Sequence, residues 1–243
     1  MIYVSLTTIP KRVKNLNKTI ESLLRQSQVP DKIFVNVPYK YKRFDDNISD
    51  NQIPKFADNR IEVTRCDDYG PGTKLMGSLD KFKENSLIIL VDDDNAYENY
   101  MIEKFYYYFS VAPENAYSFY VHPLKNFGIG QGADGFAINS KYLNGIKKFY
   151  NEIVINNEDL FINDDLWISF YLFYLKKVKI LSLQSQIKKK TDNKISLIYS
   201  THNKDGGLIS SYAKDINRAV QIRDEKALKS LDIMFEKTKK INF

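Results

Sequence analysis

The chain has 243 residues, of which 43% are hydrophobic and 27% charged, and its net charge is +6 at pH 7. No apolar run approaches the roughly 20 residues of a membrane span, and a single cysteine excludes an internal disulfide and a multi-cysteine metal site. The positive charge favours an anionic partner: nucleotide phosphates, acidic glycans, lipid headgroups or nucleic acid.

The spacing of apolar residues predicts alternating strands and helices in the first part of the chain. Strands are predicted over residues 2–6, 32–37 and 61–64, and helices over 13–26 and 74–82. Between them, residues 39–59 are polar with scattered aromatic residues and are typical of a long loop. The turn Gly70-Pro71-Gly72, followed by Thr73 as a cap, marks the start of the second helix.

The alternation continues to about residue 181. A buried strand ends at Val91, and further strands are predicted over 117–121, 136–138 and 178–181, with helices over 98–111, 141–150, 166–175 and 219–239. A basic loop is predicted around residues 188–193. This order predicts a single α/β domain in which helices flank a mostly parallel central sheet.

Three consecutive carboxylates, Asp92-Asp93-Asp94, directly follow the buried strand. Charges there are unfavourable unless something positive meets them. Mg²⁺ and Mn²⁺ sites use one or two protein carboxylates together with substrate phosphates and water, and α/β sheets bind ligands at this edge. The triplet therefore predicts a Mn²⁺ or Mg²⁺ site, with His202 as a late ligand or a structural residue. The alternative is a solvated acidic turn before a helix.

Two segments carry groups that suit a nucleotide. Thr7, Thr8 and Arg12 follow the first strand, where hydroxyls and a planar guanidinium can hold a ribose or a phosphate. Alternatively, Thr8 caps the next helix. Lys74 opens the helix after the glycine turn, so its ammonium group can meet phosphate oxygens or be solvated.

Two later acidic segments suit the sugar and the acceptor. Asp134 and Gly135 end a glycine cluster that permits close approach to a ligand, unless the cluster is a flexible surface loop. Asp164 and Asp165 open an apolar helix and can supply a general base, or serve only as its caps. Trp167 in that helix either stacks on a sugar or fills the core, which is the better expectation.

The order and spacing of these segments resemble nucleotide-sugar glycosyltransferases of the GT-A fold, a Rossmann-like α/β fold. The resemblance is closest to small family-2-like enzymes of bacteria and large DNA viruses, and it spans about residues 2–181. It rests on the segments Thr7-Thr8 with Arg12, Gly70 to Lys74, Asp92-Asp93-Asp94, Gly132 to Gly135 and Asp164-Asp165. Two features depart from the family: the second strand ends Asn36-Val37-Pro38 without aspartates, and the Gly70 turn lacks an Asn-Gly pattern.

The resemblance implies a role for each residue. Asp94 would contact the metal, and Asp92 the metal–water shell or the ribose. In the inverting members Asp165, with Asp164 second, would be the base. The donor side would comprise Thr7, Thr8, Arg12, Lys74, Asp92, Asp93, Asp134 and Gly135.

The implied activity is metal-dependent transfer of a sugar from a nucleotide-sugar donor, with UDP-sugar favoured, to a hydroxyl of a glycan or other acceptor. We expect one domain over 1–243: a nucleotide-binding half (1–94), an acceptor half (95–181) and a basic loop with a C-terminal helical segment (182–243). We also expect a cytoplasmic protein, soluble or peripheral on a membrane, that does not bind nucleic acid. The alternatives are a sugar nucleotidyltransferase, although its Gly-rich loop is missing, and a glycan- or nucleic-acid-binding module, which the acidic clusters oppose.

Overall fold

The computed structural model describes residues 1–188, 196–202 and 212–241. Its strands are β1 (Ile2–Thr7), β2 (Lys32–Pro38), β3 (Ile61–Cys66), β4 (Leu87–Leu90), β5 (Asn95–Tyr97), β6 (Ala116–Ser118), β7 (Val121–Leu124), β8 (Phe127–Gly130), β9 (Phe136–Asn139), β10 (Ile180–Ser182) and β11 (Ile198–Thr201). Its α-helices are α1 (Leu16–Leu24), α2 (Thr73–Met76), α3 (Met101–Val111), α4 (Ile146–Phe149), α5 (Glu158–Phe161), α6 (Asp164–Phe170), α7 (Leu183–Lys188) and α8 (Ile216–Thr238).

Seven strands form the central sheet in the order β10-β6-β9-β4-β1-β2-β3. β1 pairs in parallel with β2 and β4, β2 with β3, and β10 with β6, whereas β9 runs antiparallel to both its neighbours. The predicted α/β fold with a mostly parallel sheet is therefore confirmed. Because β1 to β4 are parallel, their carboxyl ends meet at one edge of the sheet.

Both faces of this sheet are buried, which explains why its strands read as continuous apolar runs. In β4, Leu87 and Ile89 pack into one apolar layer, while Ile88 and Leu90 pack into the other. α1 and α3 cover the first layer, and α4, α6 and α8 cover the second. Trp167 of α6 is fully buried in the second layer, so the expectation that it fills the core is confirmed.

Several elements differ from the sequence-based predictions. The glycine cluster begins in an antiparallel hairpin, β7–β8, and β5 pairs with the distant β11. The helix predicted over 74–82 is broken into α2 and a short 3₁₀ turn, Leu79–Lys81. Near this break Gly77 lies so close to Asn36 that an added Cβ would sit 2.8 Å from its side chain. Residues 189–193 of the predicted basic loop lie outside the described residues. Within the described ranges, every helix is too short or too polar to cross a bilayer.

Candidate active site

A cavity of about 720 Å³ opens at the edge of the sheet where β1, β3 and β4 end. This volume is in the range of small-molecule sites, and the position is the one that α/β folds use for ligands. Of the residues predicted from the sequence, the cavity is lined by Thr7, Thr8, Arg12, Lys74, Asp92, Asp93, Asp94, Asp164 and Asp165. Asp134, Gly135 and His202 are not among the lining residues.

The loop after β1 holds the acidic triplet in place. The Thr8 hydroxyl donates to Asp93 Oδ2 at 2.6 Å, and Arg12 Nη1 donates to Asp93 Oδ1 at 2.7 Å and to Asp94 Oδ2 at 3.0 Å. Asp93 is buried between these donors. The Thr7 hydroxyl donates to the backbone oxygen of Asn36. The side chains of Thr8 and Arg12 therefore position carboxylates, and their role in holding the nucleotide stays a prediction.

Lys74 joins the triplet to the second acidic pair. Its side chain is only 4% exposed, and its Nζ lies 2.5 Å from Asp92 Oδ1 and 3.3 Å from Asp164 Oδ2. Burial acts to lower the pKa of Lys74, but the surrounding aspartates outweigh it and hold the pKa well above its usual value. The ammonium group was predicted to meet phosphates. In the structure it bridges two carboxylates at the cavity, because α2 turns it into the protein, and the contact with phosphate stays a prediction.

Gly132 lies against this cluster, at a position that leaves no room for a side chain. A Cβ at this position would lie 2.7 Å from Lys74 Nζ, 3.5 Å from Asp165 Oδ1 and 3.6 Å from Asp92 Oδ1. The backbone nitrogen of Gly132 donates to Asp165 Oδ1 at 3.0 Å. Because Gly132 has no side chain, the side chains of Lys74, Asp165 and Asp92 can lie close to its backbone.

The two aspartates of α6 have different surroundings. Asn163 caps the helix by accepting a bond from the Leu166 nitrogen, so neither aspartate is needed as the cap. Asp164 is 5% exposed and faces Lys74, whereas Asp165 is half-buried and anchored on Gly132. Burial, with the charge of Asp164, raises the pKa of Asp165 to about 8. Asp165 thus has the pKa of a base that can work near neutral pH.

Residues that the sequence analysis did not single out connect the triplet to the loop at 131–135. The Tyr97 hydroxyl accepts from the backbone nitrogen of Asp92 at 3.0 Å and donates to the backbone oxygen of Ala133 at 3.0 Å. Asn95 Nδ2 donates to the same oxygen at 3.1 Å. These two residues belong to no recognisable motif. Both follow the triplet within three positions, and this proximity is the sequence feature that could have indicated them.

The carboxylates at the cavity suit a divalent cation. Asp92 and Asp94 both line the cavity, and burial together with the charge of Asp92 raises the pKa of Asp94 to about 6. Adjacent carboxylates of this kind are the oxygen ligands that a hard cation prefers. Among the described residues, no three acidic, histidine or cysteine side chains converge into a ready-made metal site. That is compatible with Mg²⁺ or Mn²⁺, which take many of their ligands from substrate and water.

His202 does not join this group. Its backbone nitrogen donates to the backbone oxygen of Asp94 at 2.7 Å, and its ring Nε2 lies 3.3 Å from the Thr19 hydroxyl. Its Nδ1 is buried without a hydrogen-bond partner. Through these contacts His202 tethers the end of β11 to the triplet, which is a structural role, and its role as a metal ligand stays a prediction.

The glycine cluster also differs from its prediction. A Cβ on Gly130 would lie 2.6 Å from Phe136, and one on Gly135 would lie 2.6 Å from Phe105. Gly135 has a φ of +100°, a conformation that favours glycine. These glycines permit close packing within the chain, and the approach of a ligand to Asp134 and Gly135 stays a prediction. Burial, with the charge of Asp92, raises the pKa of Asp134 to about 6, although this residue does not line the cavity.

Three further cations line the cavity and were missed by the sequence analysis. Arg43 comes from the loop between β2 and β3, Lys214 precedes α8, and Arg223 lies on α8. The only signal for them in the sequence is the basic run Lys40-Tyr41-Lys42-Arg43. The cavity thus has acidic and basic lining residues, contributed by segments far apart in the chain.

No protein-family model matches this sequence, and no curated protein matches it significantly. Solved structures do share its fold. S. aureus TarS 1-349 in complex with UDP-GlcNAc has a TM-score of 0.51 at 11% identity, covering 97% of this chain and 70% of that chain. Mannosyltransferase PcManGT from Pyrobaculum calidifontis, in complex with GDP-Man and Mn²⁺, has a TM-score of 0.50 at 9% identity, covering 97% and 73%.

The 2-C-methyl-D-erythritol 4-phosphate cytidylyltransferase of Francisella tularensis has a TM-score of 0.49 at 14% identity, covering 74% of this chain and 88% of that chain, and supports no functional statement. At the identities of TarS and PcManGT, the likeness concerns the fold. The chain has the GT-A fold, as the sequence predicted. A fold does not define an activity, which depends on the residues of the site.

Proposed function

We propose that this protein is a metal-dependent glycosyltransferase that moves a sugar from a nucleotide-sugar donor, with UDP-sugar favoured, to a hydroxyl of a glycan or other acceptor, with inversion. The observation that carries the proposal is the convergence of two acidic groups on one cavity. Asp92-Asp93-Asp94 after β4 and Asp164-Asp165 at α6 line the same 720 Å³ space, in a chain with the GT-A fold.

The donor side is proposed at the triplet. Thr8 and Arg12 hold Asp93, which fixes the direction of its neighbours Asp92 and Asp94. Asp94, with Asp92 beside it, would hold Mn²⁺ or Mg²⁺, and a bound cation supplies neutralisation of charge on a leaving nucleoside diphosphate. Lys74 bridges Asp92 and Asp164. Residues 1–94 are the proposed nucleotide-binding half and residues 95–181 the acceptor half.

Asp165 is the proposed base. It lines the cavity, its Oδ1 is fixed by the Gly132 nitrogen, and its pKa of about 8 suits proton transfer from a hydroxyl. As the acceptor oxygen forms its bond to the anomeric carbon, the bond from that carbon to the nucleoside diphosphate breaks and the acceptor proton passes to the Asp165 carboxylate. Attack from the face opposite the leaving group inverts the anomeric centre. Asp164 is less suited to this role because it is buried against Lys74.

The test is calorimetry with UDP and Mn²⁺, followed by assays of transfer and of UDP release from UDP-sugars. We expect UDP to bind in the presence of Mn²⁺ and to bind at least about tenfold more weakly in EDTA. The matched control is Asp46→Ala, since Asp46 is an exposed residue of the 39–59 loop that does not line the cavity. Mn²⁺-independent UDP affinity would contradict the metal dependence, and the absence of UDP binding would contradict the donor. Release of pyrophosphate from a nucleoside triphosphate and a sugar phosphate would instead support the nucleotidyltransferase.

A further inference from the structure

The acidic triplet and Asp165 can act on one substrate pair only if the distance between them is fixed. The triplet follows β4, whereas Asp165 lies at the start of α6, more than 60 positions later in the chain. In a transfer reaction a misplacement of about 1 Å can lower the rate about 100-fold. Asp165 is anchored on the loop at residues 131–135, because the Gly132 nitrogen donates to its Oδ1 at 3.0 Å. The attachment of this loop to the triplet therefore decides how well the two groups are aligned.

The hydroxyl of Tyr97 makes this attachment. It accepts a hydrogen bond from the Asp92 nitrogen at 3.0 Å. It also lies 3.0 Å from the backbone oxygen of Ala133 and 3.1 Å from that of Asp92, and the two oxygens share its single proton. Asn95 Nδ2 supports the loop by donating to the same Ala133 oxygen at 3.1 Å. The bond from Tyr97 joins the backbone of the triplet to the residue that follows Gly132.

The ring of Tyr97 is held in place by several elements. It is 3% exposed and belongs to the apolar layer that α1 and α3 cover. Its backbone nitrogen donates to the hydroxyl of Ser22 in α1 at 3.0 Å, and β5, which ends at Tyr97, pairs with β11. A ring packed in this way has few alternative rotamers. The hydroxyl is therefore held at a defined point at the edge of the sheet.

The hydroxyl is the part of Tyr97 that packing does not require. A phenylalanine ring would fill the same apolar space, whereas a buried hydroxyl is unfavourable unless it is hydrogen-bonded. Burial, together with the charge of Asp92, holds the pKa of Tyr97 well above its usual value, so the group stays an uncharged donor. Tyr97 is not among the residues that line the cavity. Its hydroxyl thus acts on other parts of the protein rather than on a substrate.

We propose that Tyr97 is a positioning residue that sets the distance between the acidic triplet and Asp165. It does so through the loop at residues 131–135, which it ties to the backbone of Asp92. Each hydrogen bond in this connection is 3.0 Å long: Asp92 to Tyr97, Tyr97 to Ala133, and Gly132 to Asp165. The effect on transfer rests on the proposed function, whereas the link itself does not.

The test is Tyr97→Phe, which removes only the hydroxyl, and the matched control is Tyr117→Phe. Tyr117 is 2% exposed and lies in the same apolar layer. Its hydroxyl donates to the backbone oxygen of Ala112 at 2.8 Å, and neither residue lines the cavity. Each variant loses a buried tyrosine hydroxyl that bonds to the backbone, so comparable falls in Tm are expected.

Amide hydrogen exchange of the full chain without ligand measures the link independently of any activity. In Tyr97→Phe the exchange at Gly132 should accelerate by about tenfold or more, the change typical of one lost hydrogen bond. In Tyr117→Phe it should stay within about twofold of the wild type. The amides of β1, in the centre of the sheet, show whether a variant has lost global stability instead.

Steady-state transfer with Mn²⁺ separates positioning from a structural role. We expect kcat to fall about tenfold or more in Tyr97→Phe. The UDP affinity measured by calorimetry with Mn²⁺ should stay within about threefold, because Thr8 and Arg12 still hold the triplet. Partial unfolding would instead lower kcat and the number of UDP sites by the same factor.

Two results would overturn the inference: exchange at Gly132 that Tyr97→Phe does not change, or a kcat that is the same in Tyr97→Phe and Tyr117→Phe. The proposed function can fail separately. If the wild type neither binds UDP nor transfers a sugar while exchange at Gly132 responds to Tyr97→Phe, the proposed function fails and the link stands. If the wild type transfers a sugar and Tyr97→Phe behaves like its control, the positioning role fails and the proposed function stands.

Discussion

Replacing Lys74 by methionine should destabilise the protein strongly and in a pH-dependent way. Methionine keeps an unbranched apolar side chain, one atom shorter, and removes the ammonium group that lies between Asp92 and Asp164. Removing one partner of a buried ion pair typically costs about 3–5 kcal/mol, because the other charge stays buried without compensation. Asp164 is 5% exposed and would be the residue left in this position.

The expected loss is about 3 kcal/mol, near the lower end of that range. Asp92 is 33% exposed and can regain water, so the penalty falls mainly on Asp164. For a domain of this size, about 3 kcal/mol corresponds to a fall in Tm of roughly 6–12 °C. Burial already raises the pKa of Asp164, and the loss of Lys74 removes the main charge that opposes this. In the variant Asp164 therefore takes up a proton as the pH is lowered, which removes its uncompensated charge. The destabilisation should then be smaller at pH 5 than at pH 8.

Thermal unfolding in EDTA at pH 5 and pH 8 measures both quantities. The matched control is Lys81→Met, since Lys81 pairs with Glu62 but both side chains are about 40% exposed. Exposed pairs contribute about 1 kcal/mol or less, so this variant should change Tm by no more than roughly 4 °C and show little difference between the two pH values. Equal effects of the two variants, or a Lys74→Met loss that does not change with pH, would refute the reasoning.

Three further predictions concern neighbouring residues. Burial and Asp164 raise the pKa of Asp165 to about 8 in the folded state, so ionising it costs stability between about pH 4 and pH 8. Asp165→Asn should therefore gain more Tm over wild type at pH 8 than at pH 5, while transfer falls by about 10²–10⁴; a gain independent of pH would contradict the raised pKa. Asp94→Ala should lose the Mn²⁺-dependent part of UDP affinity and remain folded, and wild-type affinity would shift the metal to other residues. Gly132→Ala should lower Tm by displacing the Lys74 ammonium, so its effect should nearly vanish in a Lys74→Met background; additive effects would show that it acts elsewhere.

The parts of the fold with strong local patterns were predictable. β4 ends in Leu90 before the triplet, as a run of apolar β-branched residues followed by carboxylates predicts, and α1 and α8 follow from helical spacing. The position of the triplet at the cavity followed from the rule that ligands bind at the carboxyl edge of parallel strands, whereas its convergence with Asp164 and Asp165 was implied by the family resemblance.

The parts that depend on long-range packing were not predictable. Nothing local to Lys74 shows that its ammonium group is buried between two carboxylates, since both partners come from other elements. The glycines of residues 128–135 have the composition of a flexible loop, yet the first of them belong to a hairpin, β7–β8, and Gly135 is fixed by contact with Phe105. The cavity-lining cations Arg43 and Arg223 were missed because they are 180 positions apart and no short motif connects them.

The pairing of β5 with β11 makes the order of folding relevant to the site. β5 follows the triplet within a few residues, whereas β11 lies about a hundred residues later in the chain. α8 lies later still. The N-terminus of a growing chain leaves the ribosome first. Most of the central sheet and the triplet therefore leave it roughly 5–20 seconds before β11 does. During that interval the triplet lies at the end of its strand without the His202 tether, and α8 with the cavity-lining Arg223 has not yet emerged. The site would therefore become able to bind a ligand last, after the core is buried. The onset of ligand binding would mark the end of folding rather than its beginning.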